Sequence, residues 1–174
     1  MNQHPPELTI RPEQPEDVAA IHRVVEQAFG RRAEADLVDA IRSNGRATLS
    51  LVAVGADEVV GHLLFSPVAV AGLAANACAG LAPLAVLPAH QRRGIGGALV
   101  KAGLEACRRA GFAAAVVLGD PAYYRRFGFV SARQFGLSSE YDAPEDAFMA
   151  LELRAGGLAG AKGPCRYADE FRLV

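Results

Sequence analysis

The chain has 174 residues, a net charge of −1 and an apolar content of 51%, which suffices for one domain with a sizeable hydrophobic core. Because the charge is nearly balanced and the arginines are scattered rather than arranged in a stripe, we expect no nucleic-acid partner. The three cysteines, Cys78, Cys107 and Cys165, are odd in number and form no CxxC pair. This pattern indicates reduced thiols and a cytoplasmic location.

Three further classes of protein are disfavoured by the sequence. Met1–Pro6 lacks a basic segment followed by an apolar core, so we expect no signal peptide. No aspartate, glutamate, lysine or arginine lies between Glu58 and Arg92, but prolines and glycines divide this stretch into pieces far shorter than the about 20 apolar residues of a membrane-spanning helix. The four histidines lie on separate predicted elements without ligand spacing, so we expect no metal site.

The first half of the chain predicts two helices and three strands. Apolar side chains three or four residues apart indicate helices, and uncharged β-branched runs bounded by turn residues indicate strands. In chain order the predictions are a strand at Leu8–Arg11, a helix from Pro15 to Phe29, a helix at Ala33–Arg42, and strands at Leu49–Val54 and Val59–Val70.

The second half predicts a long and a short helix among four strands. The predictions are a strand at Ala79–Leu87, a helix from Gly94 to about Ala110, a strand at Ala113–Leu118, a short helix from Pro121 that ends at Gly128, and strands at Phe129–Phe135 and Ala147–Leu153. This order predicts a mixed α/β sheet with helices on both faces. We assign residues 8–154 to one domain and 155–174 to a C-terminal tail, whose packing the sequence leaves open.

A glycine-marked turn, Gln91–Gly97, joins an apolar strand to the long helix. Glycines let the backbone approach a ligand closely, and a helix N-terminus offers N–H groups with a partial positive charge, so the turn predicts a pyrophosphate site. A nucleoside-triphosphate loop would need Lys-Ser or Lys-Thr, and a dinucleotide turn would need glycine where Leu99 stands. A turn with a purely structural role remains an alternative.

The turn resembles the acyl-CoA-binding motif of the GNAT superfamily of N-acetyltransferases, (Gln/Arg)-x-x-Gly-x-(Gly/Ala), with Gln91, Gly94 and Gly96 at the fixed positions. The segment Tyr124–Phe129 resembles the Tyr-x-x-x-Gly-Phe segment after the fifth strand of that superfamily. The Leu-Gly-Asp-Pro turn before it is similar to that of a subfamily of predicted bacterial acetyltransferases. The resemblance covers roughly Leu8 to Leu153. It implies a mainly antiparallel central sheet with a splayed strand pair that admits CoA.

The resemblance also implies an activity, acetyl-CoA-dependent transfer of an acetyl group to a primary amine by direct attack. It implies Tyr124 as general acid and the backbone N–H of Val86, or of its neighbour, as oxyanion donor. Packing on a short helix is the alternative for Tyr124, and Tyr123 is expected to be its buried neighbour. The implied cofactor-binding residues are Leu84, Ala85, Val86, Gln91, Arg92, Arg93, Gly94, Ile95, Gly96, Gly97, Asp120 and Tyr123.

The sequence does not identify a general base, because Leu81–Leu87 has no ionisable side chain. An ordered water chain or a distant carboxylate would have to remove the proton. The candidates near the acceptor are Glu34, Asp36, Glu145 and Asp146, each with a solvated surface position as the alternative. The acidic run Glu140–Asp146 suits a cationic amine, whether a small molecule or a peptide. A catalytically silent acyl-CoA-binding protein and an acyltransferase for longer acyl groups stay open, and the resemblance allows a homodimer.

Overall fold

The structure is a computed structural model that describes residues 7–174, so the expectation about Met1–Pro6 lies outside the described residues. Within this range the chain forms nine strands and four α-helices. The strands are β1 (Thr9–Pro12), β2 (Leu49–Gly55), β3 (Glu58–Ala71), β4 (Cys78–Val86), β5 (Ala114–Leu118), β6 (Val130–Ser131), β7 (Leu137–Ser139), β8 (Phe148–Glu152) and β9 (Lys162–Arg166). The helices are α1 (Val18–Phe29), α2 (Ala33–Ser43), α3 (Ile95–Arg109) and α4 (Pro121–Tyr124).

The strands form a mixed, mainly antiparallel sheet in the order β1-β2-β3-β4-β5-β8-β6. The pair β4 and β5 is parallel, whereas the other neighbours along this path are antiparallel. The strand β9 pairs with the end of β3 on one side and, in parallel, with β7 on the other. The parallel pair requires the crossover through α3, and this crossover places the glycine turn at the end of β4.

Helices cover both faces of the sheet, as predicted. On one face α3 buries Leu99 and Leu104 in a core with Leu63 and Phe65 of β3. On the other face α1 and α2 bury a second apolar cluster that includes Leu64. Because successive strand residues point to opposite faces, the apolar run of β3 serves both cores.

Two predictions about the second half of the chain need correction. The predicted strand Phe129–Phe135 is wrong after Ser131, because Ala132–Phe135 forms a 3-10 turn that ends at Gly136 with φ of 70°. Two short strands, β7 and β9, were not predicted. The strand β9 contains Gly163 and Pro164, residues that are unfavourable in strands and therefore mask the pattern. Through β9, residues 155–174 pack on the sheet.

A buried polar network anchors the loop after β1 beneath the helices α1 and α2. His62 is fully buried, and its Nε2 lies 2.8 Å from Ser50 Oγ. Arg42 donates to Glu13 at 3.2 Å and to Asp39 at 2.7 Å. Burial lowers the pKa of His62 and keeps the imidazole neutral. Burial opposes ionisation of Glu13, but hydrogen bonds from His62, Arg42 and Ser50 outweigh it and lower the pKa of that carboxyl.

Candidate active site

The strands β4 and β5 separate at the centre of the sheet. Their pairing runs from Cys78 opposite Ala114 to Leu81 opposite Val117, and β4 then continues to Val86 without β5. Pro83, which has no N–H to donate to a ladder, lies just beyond the last paired position. The gap opens on the edge of β4 that faces away from β3, as the expected splay requires.

Backbone groups of β4 face this gap at alternate residues. The N–H of Leu87 donates to the carbonyl of Val60 in β3 at 2.9 Å, and the register sets Val86 opposite Gly61. Because amide direction alternates along a strand, the N–H groups of Val86 and Leu84 point into the gap. Ala85 instead directs its backbone towards β3. Two of the three predicted β4 residues therefore present their amides to the opening.

The glycine turn begins α3 at the end of β4. Gly94 has φ of 82° immediately before the helix, and Arg92 also has a positive φ of 60°. The side chain of Gln91 donates from Nε2 to the carbonyl of Val86 at 3.1 Å, which ties the turn to β4. The first N–H with an acceptor one helical turn back is that of Ala98, bonded to the carbonyl of Gly94 at 3.0 Å. The N–H groups before it at the helix start lack such an acceptor and remain available for an anion.

A cavity of about 560 Å³ lies over this helix start. A Cβ atom on Gly96 would lie 2.8 Å from Tyr123 Oη, so any larger residue here would require the tyrosine hydroxyl to move away from the turn. The guanidinium of Arg126 stacks 4.4 Å from the centre of the Tyr123 ring. Arg126 and Arg92 line the cavity, whereas Arg93 does not. The site is thus a positively charged opening covered by one aromatic side chain.

A second cavity of about 750 Å³ continues from the first. Leu84 and Tyr123 line both, so the two cavities adjoin beside the gap at β4. Tyr124 lines only the larger cavity, whereas Val86 lines only the smaller one. Asp120 also borders the larger cavity, and its carboxylate accepts the N–H of Ala122 at 2.9 Å as the cap of α4.

Tyr124 is the more buried of the two adjacent tyrosines, so the expectation that Tyr123 is the buried neighbour was wrong. The side chain of Tyr124 is 9% exposed and packs edge-to-face against Phe129 with ring centres 5.8 Å apart. Burial raises the pKa of the Tyr124 phenol well above its usual value of 10. The phenol therefore carries its proton at neutral pH, and the same burial makes it a weaker acid than an exposed tyrosine. Tyr123 is only half-buried.

The predicted acidic residues separate into two groups. Glu34 is 6% exposed, not a surface residue, and lines the larger cavity. Arg31 Nε donates to both of its carboxylate oxygens at 3.0 Å, so Glu34 is held as an ion pair. Glu145 and Asp146 are exposed and lie outside the cavity lining, with Glu145 paired to Arg133. Asp36 is exposed and also lies outside that lining.

A family model described as an acetyltransferase (GNAT) domain matches residues 9–132, most of this chain. The chain belongs to the GNAT family of N-acetyltransferases. It is similar to the N-acetyltransferase YhbS of Escherichia coli K12, with 38% identity over 165 residues that cover 94% of this chain and 98% of YhbS.

Solved GNAT structures share the fold. A crystal structure of Escherichia coli YhbS in complex with CoA has a TM-score of 0.93 and 36% identity, covering 99% of this chain and 95% of that one. A GNAT acetyltransferase from Brucella melitensis in complex with acetyl-CoA has a TM-score of 0.77 and 38% identity, covering 95% of this chain and 98% of that one. These relatives establish the GNAT fold and enzyme family.

The family's site contains several residues here that the sequence analysis did not identify. Arg126, three residues after Tyr123, covers that tyrosine, and a cation at this helical spacing was the available signal. Tyr167 and Phe171 come from the tail and line the larger cavity, together with Tyr141 and Asp142 of the acidic run. These side chains approach each other only through long-range pairing, so spacing along the chain could not reveal them.

Two other features, a metal-binding cluster and a membrane-spanning helix, are absent from residues 7–174. No cluster of three or more histidine, cysteine, aspartate or glutamate side chains has the arrangement of a metal site in this part of the chain. In the same range no helix combines the length and apolar character needed to cross a bilayer.

Proposed function

We propose that this GNAT enzyme transfers the acetyl group of acetyl-CoA to a primary amine by direct attack. The observation that carries the proposal is that the cavity over the glycine turn and the cavity that contains Tyr124 adjoin at Leu84 and Tyr123, beside the gap at β4. The first of these cavities suits a pyrophosphate and the second suits a reaction centre. The complexes of the relatives with CoA and acetyl-CoA support the identity of the cofactor.

The cofactor would be held mainly by backbone groups. The N–H groups at the start of α3, with Arg92 and Arg126, would bind the pyrophosphate. The N–H of Val86 would pair with the pantetheine arm as an added strand would, and the N–H of Leu84, which lies further from the glycine turn, remains free for the thioester. Gln91 would position the turn through its bond to the Val86 carbonyl rather than touch the cofactor.

The amine would attack the thioester carbonyl, with a new C–N bond, and the C–S bond would then break to release CoA thiolate. We assign the oxyanion donor to the N–H of Leu84 rather than Val86, because Leu84 shares the larger cavity with Tyr124. One such fixed donor stabilises the transition state by about 3 kcal/mol. The Tyr124 phenol would then protonate the departing thiolate, and the proton that the attacking nitrogen loses as the amide forms would restore the phenol.

The amine must lose a proton before it attacks. A lysine-like amine with a pKa near 10.4 needs about 4.6 kcal/mol to reach its neutral form at pH 7. The Glu34 carboxylate is occupied by its ion pair with Arg31, so we assign deprotonation to water in the open part of the cavity.

Direct attack also agrees with the state of the cysteines. Cys78, Cys107 and Cys165 are free and buried. Burial raises the pKa of each thiol to about 12, so none is suited to accept an acetyl group as a thiolate. Three unpaired thiols also support our expectation of a reducing, cytoplasmic location.

The first test is thermal unfolding with acetyl-CoA, CoA, ATP and NAD in parallel. A ligand at about 100 times its Kd stabilises the folded chain by about 2.7 kcal/mol, which is a shift in Tm of about 5–11 °C at this length. We expect this shift with acetyl-CoA and CoA only, and its loss in Gly96→Glu. A shift without any acetyl transfer to an amine panel would instead indicate a catalytically silent acyl-CoA-binding protein.

A further inference from the structure

The walls of the larger cavity are apolar and aromatic, with carboxylates as their ionisable groups. Glu34, Asp120 and Asp142 line the space, but within residues 7–174 no lysine, arginine or histidine does. A ligand in this cavity therefore meets negative charge and apolar surface. A cationic or neutral amine is compatible with these walls, whereas a carboxylate on the ligand would be repelled.

Exposed apolar side chains concentrate around this cavity. Within the described residues, the large apolar side chains classed as exposed are Leu8, Phe29, Leu118, Leu173 and Val174, and three of these five line the cavity. Phe29 is 42% exposed and Leu118 is 40% exposed. Scattered exposed apolar residues need no explanation, but a group around one opening indicates an apolar ligand.

One wall of the cavity is a row of three aromatic rings. The ring of Tyr167 lies 5.9 Å from that of Tyr141 and 5.1 Å from that of Phe171, measured between centroids. The backbone N–H of Tyr167 is bonded to Glu140 at 2.6 Å, which fixes the row relative to the acidic run. Aromatic faces accept both apolar groups and cations.

The three carboxylates that line the cavity differ in their hydrogen-bond and ion-pair partners. Glu34 is paired with Arg31, and Asp120 caps α4. Asp142 is exposed at the cavity and follows Tyr141 directly in the chain. Asp142 is thus the carboxylate best placed to attract an ammonium group to the aromatic row.

We propose that the acceptor is a small primary amine on an apolar, preferably aromatic, body that carries no carboxylate. The proposal rests on the function proposed above and specifies the substrate class of that site. The amine nitrogen lies towards Leu84 and Tyr124, and the body packs on the aromatic row and Phe29. A polyamine would leave this apolar surface unfilled, and an amino acid would bring its carboxylate against the acidic walls.

The test compares acetyl transfer to phenethylamine, L-phenylalanine, spermidine and ethanolamine, followed as release of CoA thiol. We expect kcat/KM for phenethylamine to exceed that for the other three amines by about tenfold or more. An equal or higher value for spermidine or L-phenylalanine would overturn the proposal.

A binding measurement separates this proposal from the proposed function. Calorimetry with CoA present should detect phenethylamine at the site even if no acetyl group moves. Binding of phenethylamine without acetyl transfer to any of the four amines would refute the acetyltransferase function and the acceptor role together. Transfer to other amines without phenethylamine binding would refute the substrate class alone. A larger thermal shift with octanoyl-CoA than with acetyl-CoA, abolished by Phe29→Ala, would assign the apolar wall to an acyl chain instead.

Matched variants test separately the apolar side chain and the carboxylate that line the cavity. Phe29→Ala should raise KM for phenethylamine by about five- to tenfold, whereas Leu8→Ala, with similar exposure at 38% but outside the cavity, should not. Asp142→Asn should raise KM for the amine and leave the Kd of acetyl-CoA unchanged. Asp169→Asn, an exposed carboxylate outside the cavity, is its control. Equal effects within either pair would contradict the assignment.

Discussion

The approach of Tyr123 to the glycine turn can be tested by adding one methyl group. In Gly96→Ala the new Cβ would lie 2.8 Å from Tyr123 Oη, too close for the ring to stay in place. In Gly97→Ala, one residue further along α3, the nearest atom is Phe127 Cζ at an ordinary 3.7 Å. Both variants therefore add the same methyl group, and only the one at residue 96 makes a close contact.

The structure sets the size of the difference between them. Alanine in a helix interior is more favourable than glycine by up to about 1 kcal/mol, and less in the first turn. Gly97→Ala should therefore increase the free energy of unfolding by this amount. Gly96→Ala must also displace Tyr123 from beneath Arg126, whose stacking on the ring contributes about 0.5–1 kcal/mol. We therefore expect Gly96→Ala to unfold about 1–4 °C below Gly97→Ala.

Thermal unfolding without cofactor measures this effect apart from any change in binding. Removing the hydroxyl in Tyr123→Phe should relieve the contact, so the double variant Gly96→Ala/Tyr123→Phe should recover most of the loss. The same substitution combined with Gly97→Ala should show additive effects. Equal Tm values for Gly96→Ala and Gly97→Ala, or no rescue by Tyr123→Phe, would refute the packing of Tyr123 on the turn.

Three other predictions concern catalysis, cofactor charge and pH. Tyr124→Phe should lower kcat by about 10²–10⁴-fold at unchanged Kd for acetyl-CoA, and an unchanged kcat in a direct thiol-release assay would show that the phenol only packs. Arg126→Gln should weaken CoA binding and reduce its salt dependence in calorimetry, whereas Lys101→Gln on the far part of α3 should not. Because burial lowers the pKa of His62 below 6.5, the unfolded chain binds the extra proton as pH falls. The free energy of unfolding should therefore decrease by up to about 1.4 kcal/mol per pH unit below pH 6.5. Urea titrations at several pH values measure this dependence, which should be weaker in His62→Gln. An equally steep dependence in His62→Gln would contradict the prediction.

The cofactor side of the fold could be predicted from sequence because short-range rules determine it. An apolar strand, a glycine with positive φ at Gly94 and a helix start are adjacent in the chain, so the segment Gln91–Gly97 indicates the local geometry by itself. The position of Pro83 likewise coincides with the end of strand pairing. Arg92 and Arg93 were predicted because they lie within the glycine turn. Arg126 was not predicted, because a single arginine after Tyr123 lies outside that motif.

The acceptor side could not be predicted in the same way. Tyr141 and Tyr167 lie 26 positions apart in the chain, yet their rings are neighbours because β9 pairs with both β3 and β7. The strand β9 is obscured by Gly163 and Pro164, so the element that carries Tyr167 into the site was itself missed. From the sequence we expected the acidic run Glu140–Asp146 at the acceptor, but of its four carboxylates only that of Asp142 lines the cavity.

This contrast between the two sides has a physical cause. The cofactor site uses backbone N–H groups, which every residue supplies, so it needs only glycines and a helix start in the right order. The acceptor cavity uses side chains from α1, α2, the segment after β7 and the tail. The family model ends at residue 132, before Tyr141, Tyr167 and Phe171. Substitutions along the aromatic row can therefore change the acceptor without disturbing the turn that binds the cofactor. An exchange of this row for polar side chains should then abolish amine selectivity while the thermal shift with acetyl-CoA persists.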